Sequence, residues 1–80
     1  MNNTTNEQIA AWVVQSEREL VNRIRSEIEH PTPSGEEIVR RLRAVSEAYW
    51  NAAGIVLGED SDEMDALRAR VAEIPSPFNP

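Results

Sequence analysis

The chain has 80 residues and a net charge of −6, with 14 acidic side chains against 8 basic ones, every one of them arginine. Such a chain repels bare DNA and anionic membranes on average. With no cysteine and His30 as the one histidine, disulfides, thiolate zinc and imidazole-rich metal sites are out of reach.

No apolar run approaches the roughly 20 residues of a membrane span, and the start, MNNTTNEQ, is polar, unlike a signal peptide. The expectation is a soluble, cytoplasmic, single-domain protein without metal or cofactor. A domain this small hides only about 60% of the surface its unfolded chain exposes. Self-association or unusually good helix packing must then supply what disulfides cannot.

The first helix is expected over about residues 5–29. Thr4 with Glu7 fits a capping box, in which each side chain satisfies a backbone donor at the helix start. Ile9, Val13, Leu20, Ile24 and Ile28 then recur at threes and fours, joined by Trp12 and widened by Val14 and Val21. Glu17 interrupts that apolar face between Val13 and Leu20. A carboxylate there needs a partner, and Arg41, the arginine nearest the apolar face of the following helix, is the candidate. Such a pair would set helix register. Arg23 and Glu27 lie on the margins of the same face.

HPTPSG, residues 30–35, holds two prolines and a glycine and stops the first helix. His30 is placed to meet the negative end of that helix. A second helix is expected over 35–57, opened by another capping box, Ser34 with Glu37. Ile38, Leu42, Val45, Tyr49, Ala52, Ala53 and Val56 line one face, with Trp50 at its edge. Ala48, Ala52, Ala53 and Gly54 would let another backbone approach closely, flanked by the Tyr49 and Trp50 rings. Gly58 suits a helix stop.

The third helix, expected over 62–74, begins amid Glu59, Asp60, Asp62, Glu63 and Asp65, where the helix dipole favours negative charge. Met64, Leu67, Val71 and Ile74 form a narrow seam that can cover one groove. IPSPFNP ends the chain with three prolines, so 75–80 reads as an extended tail whose Phe78 folds back onto the bundle or enters a partner's groove.

Chemistry-bearing patterns are sparse. Counting a calcium loop from Asp60 puts Asp65 where its sixth-position glycine belongs. Arg40, Arg41 and Arg43 are the one basic cluster. Glu36 and Glu37 precede it, which fits pairing with the acidic 59–65 segment, internally or between subunits, better than contact with DNA. One histidine supports no Ser–His–acid arrangement, and no glycine-rich phosphate loop exists. Trp50 and Gly54 stand four apart inside a predicted helix, unlike the one-residue spacing of WXG-type secreted hairpins. In composition alone the chain resembles acidic inhibitors carried by phages and mobile elements.

The expectation is therefore an all-α fold: two long antiparallel helices forming a hairpin, a short third helix, and assembly into a dimeric bundle. Faces near 180° wide leave apolar surface over, which fits a small non-catalytic protein that binds another protein or itself, as regulator, inhibitor or accessory subunit. Trp12, Glu17, Arg41, Tyr49, Trp50 and Phe78 are the expected contact residues. Two alternatives carry other residues. An acidic mimic of nucleic acid would use the 59–65 carboxylates to occupy a basic cleft, and a helical DNA-binding regulator would use the arginines.

Overall fold

The computed structural model describes residues 3–78. These form three helices and no strand: α1 (Asn3–Glu29), α2 (Gly35–Leu57) and α3 (Asp62–Ala72). No glycine or proline interrupts 3–29, so α1 runs unbroken for 27 residues, about 40 Å at 1.5 Å per residue. That length sets the 44 Å long axis of the molecule. Among the described residues no helix is long and apolar enough to cross a membrane.

α1 and α2 pack as a hairpin across the 30–34 turn. α3 lies in the groove between them on one side. Its start meets Asn6, Glu7 and Ala10 through Glu63, Ala66 and Leu67, and its end, with Ile74 and Pro75, meets Arg18, Val21 and Arg25. It therefore runs parallel to α1, and the tail continues toward the hinge, where Phe78 stands beside Ile24, Ile28 and Val39. Asn79 and Pro80 of the expected tail lie outside the described residues.

The helix ends differ from expectation in instructive ways. α1 starts at Asn3, so Thr4 is inside the helix instead of capping it; the Thr4 side chain lies outside the described part. Ser34 precedes α2 with φ −103° and ψ 7° and makes no side-chain cap bond, because a capping serine needs extended backbone. Glu37, expected to complete that box, pairs with Arg41 instead.

The start of α2 is covered by a residue of α1. The Glu27 carboxylate accepts from Thr32 N at 3.3 Å and from Thr32 Oγ1, and it lies so close over Gly35 that a methyl group there would overlap it. α3 has the cap α2 lacks: Ser61 is extended and its Oγ accepts from Met64 N at 3.1 Å. α3 also stops two residues short of expectation. Glu73 and Ile74 donate to carbonyls three residues back, tightening the last turn ahead of Pro75, which disfavours helical backbone at Ile74. Gly58 ends α2 with φ 91°, the one positive φ among the described residues.

The core sits at the end of the hairpin remote from the turn. Ile9, Val13 and Val14 of α1 meet Ala53 of α2 and Met64 and Leu67 of α3. The α3 seam is thus engaged as its spacing suggested, with Val71 and Ile74 partly buried against the same cluster.

Leu67 is 1% exposed, and Leu67→Ala should lower unfolding free energy by about 3 kcal/mol through lost burial and a cavity. Gly58→Ala should cost about 1 kcal/mol or more, since a side chain resists positive φ. Urea titration followed by far-ultraviolet circular dichroism checks both, and a neutral Leu67→Ala would contradict the described core.

Candidate functional site

The middle of the α1–α2 contact is a polar node. Glu17, on the α2-facing side of α1, accepts at one carboxylate oxygen from two residues of α2, Ser46 through Oγ and Trp50 through Nε1, the latter at 3.0 Å. Ser46 and Trp50 are four apart, hence one above the other on a helix face, and they bracket the carboxylate. Beside it, Ser16 donates its Oγ to the Val13 carbonyl at 2.9 Å. Both serines are buried, Ser46 at 2% exposure.

This corrects the expected partner of Glu17. Arg41 is turned to solvent and pairs with Glu37 at 2.8 Å along its own helix. Neutral donors complete Glu17 because Ser46 and Trp50 project from the α2 edge that meets α1, whereas Arg41 sits on the outer side. Arg23 and Glu27 stay apart from the node, 3.9 Å from each other, with Glu27 committed to the turn. The sequence signal for Ser46 is a serine four residues before Trp50, beside the apolar face of its helix.

The node fixes how α2 is rotated, and that decides which apolar side chains are hidden. The buried residues of α2 are Gly35, Ser46, Ala53 and Gly54. These small groups let α1 come close. Gly54 does not receive another backbone as expected: the Glu59 carboxylate fills the space above it. The large apolar residues are displaced to the flanks. Val39, Trp50 and Leu57 fall toward α3, since they follow Ser46 and Ala53 on that side at 100° per residue.

Ile38, Leu42, Val45, Tyr49, Ala52 and Val56 fall on the opposite side, and not one of the six is buried. Val45 is 47% and Val56 45% exposed. On α1 the same side presents Trp12, 44% exposed, its ring tilted against Tyr49 with centroids 6.0 Å apart. A shallow groove of about 260 Å³ lies here between Trp12, Ser16, Glu19, Val45 and Tyr49. No α3 residue lines it. The back of the hairpin is therefore an apolar stripe along α2 that is half exposed at Val45 and Val56 and partly covered at Ile38, Leu42, Tyr49 and Ala52.

The charged candidates are distributed otherwise than expected. Arg40 and Arg41 pair with Glu36 and Glu37 four residues before them, and Arg43 lines a groove of about 390 Å³ at the hinge. Of the acidic run, Glu59 and Asp65 are held by Arg68, at 3.5 and 3.1 Å, while Asp60, Asp62 and Glu63 are exposed. The expected internal pairing between arginines 40–43 and carboxylates 59–65 is absent among the described residues, because α2 separates the two sets end to end. Phe78 is exposed at the rim of the hinge groove.

Glu17→Ala should destabilise the fold by about 2 kcal/mol, leaving the Ser46 hydroxyl and Trp50 N–H without their acceptor, with Glu17→Gln milder. Denaturant unfolding read by tryptophan fluorescence checks this, and equal, negligible effects of both substitutions would remove the node from the account. No family model matches the chain, and neither a curated protein nor a solved structure matches it.

Proposed function

We propose that the chain is a small non-catalytic protein that works by protein–protein association, as a regulator, inhibitor or accessory subunit, with the back of α2 as its docking face. One observation carries the reading: Ile38, Leu42, Val45 and Val56 along the back of α2 are incompletely covered by the neighbouring helices, with Val45 and Val56 about half exposed. Contiguous exposed apolar surface of this kind marks interaction sites in soluble proteins. Trp12 and Tyr49 supply large rings at its edge, the residue types that anchor interfaces. Trp50 contributes indirectly, since its indole N–H is bound to Glu17 and its ring packs on the core. Glu17 likewise sets the rotation of α2 that displays the stripe, and Arg41 flanks it from the outer side.

The other readings draw less support from the geometry. Two of the five acidic-run carboxylates are already engaged by Arg68, which weakens a surface meant for foreign arginines. Arg40 and Arg41 are partly neutralised by their own helix, which weakens phosphate contact.

The test compares tagged wild type with Val45→Glu/Val56→Glu, and with a variant in which Glu59, Asp60, Asp62, Glu63 and Asp65 become amides. Proteins retained from the native host are purified and their affinities measured by calorimetry. The Val45/Val56 double variant should lose about 100-fold in affinity, since two carboxylates enter an apolar interface unpaired, while the amide variant changes little. The opposite pattern would transfer the function to the acidic segment.

A further inference from the structure

We infer that the occupant of the α2 docking face is a second copy of this chain, packed back to back and antiparallel. The inference rests on the reading of that face as an interaction surface and names its partner. Three observations carry it.

The first is the spacing. Residues 38, 42, 45, 49, 52 and 56 are separated by 4, 3, 4, 3 and 4, the heptad rhythm of a helix seam. That series reads the same in both directions. A two-fold axis midway along it sets Ile38 against Val56 of the partner subunit, Leu42 against Ala52 of the partner subunit, and Val45 against Tyr49 of the partner subunit. Bulky side chains meet smaller ones at each level, as interdigitation requires. A two-fold interface must be self-complementary in this sense.

The second is charge. The hinge end, residues 23–43, carries five arginines against four carboxylates, whereas residues 59–65 carry five carboxylates and no base. Parallel pairing would stack the acidic ends together. Antiparallel pairing brings the hinge end of one copy, with Arg40, Arg41 and Arg43, toward the acidic end of the other. Arg43 of the one set and Asp60, Asp62 and Glu63 of the other take no ion-pair partner among the described residues, which leaves these four available for that.

The third is area. A hairpin face about 20 Å wide and about 28 Å long projects about 560 Å², on the order of 1,100 Å² for two copies before side-chain relief is counted, which clears the floor of about 1,000 Å² for a biological interface. Trp12, beside Tyr49, carries the contact onto α1.

The chain has no cysteine, so single substitutions report geometry cleanly. In an antiparallel seam the outer flanking positions of the two helices face one another; these are Arg41, Ala48 and Ile55, all exposed. Sedimentation equilibrium of the full chain should give twice the chain mass at micromolar concentration. Under oxidation Ala48→Cys should link to itself. Arg41→Cys and Ile55→Cys should stay unlinked alone and link when mixed. Val45→Glu should weaken the dimer by about 100-fold with helix content retained. If Val45→Glu fails to fold, the cysteine pattern decides by itself.

A wild-type monomer at high concentration overturns the second copy. So does a dimer that links through Arg41→Cys alone, or one indifferent to Val45→Glu. The broader reading is separately exposed: a monomer whose purified partner is lost on Val45→Glu/Val56→Glu keeps the docking face and changes its occupant. A monomer indifferent to both removes the face as well.

Discussion

One carboxylate at the middle of the hairpin governs the architecture. Glu17 cannot sit among Val13, Leu20 and the α2 surface without donors, and Ser46 and Trp50 are the pair that reach it. Meeting that requirement rotates α2 until its serine and small residues face α1. A hydrophobic helix face this wide has several rotations of similar burial available. The polar contact selects one of them, and in that rotation Val45 and Val56 are left half exposed. Specificity of rotation and exposure of apolar surface are thus two results of the same bond set, consistent with the use of buried polar groups to fix register at some cost in stability.

The same constraint divides the interior. On the α3 side of the node, Ile9, Val13, Val14, Ala53, Met64 and Leu67 close a compact core. Toward the hinge, Leu20 is buried but Ile24 is half covered and Ile28 exposed, with only the tail approaching. α3, at 11 residues, is too short to shield both ends of helices more than twice its length. The molecule is well packed at one end and thinly covered at the other.

The broad plan could be read from the sequence because its signals are local. The prolines of HPTPSG and IPSPFNP, the left-handed demand at Gly58, and the 3-4-3 seam of Met64, Leu67, Val71 and Ile74 each act within a turn or two, and each appears where expected. What periodicity could not provide was rotation. It showed that α2 is apolar over half its circumference, not which third of that arc would meet α1. Glu17 stands out in the sequence as a carboxylate on an apolar face, which points to an arginine partner, yet two neutral donors satisfy it. The Ser34 cap is missing because the turn holds Ser34 at φ −103° and ψ 7°, while Glu27, eight residues before Gly35, lies over the start of α2 through its bonds to Thr32, a contact that no local pattern encodes. The acidic run read as a helix start is one, with Ser61 capping it, although Arg68 also draws two of its members into ion pairs.

The anchoring of the turn by Glu27 has a bearing on the order in which the chain acquires its shape. Its bonds to Thr32 span five residues, and loops of about ten residues close in about 10–100 ns. Contacts joining Ile9 and Val13 to Leu67 span most of the chain and carry a larger closure entropy. During synthesis the residues of the bend are all present once residue 35 is made, long before Leu67 exists. The final step of maturation should therefore be the seating of α3, which completes the buried cluster of Ile9, Val13, Ala53 and Leu67, and this cluster, not the thinly covered hinge, is the most persistent native element under mild denaturation.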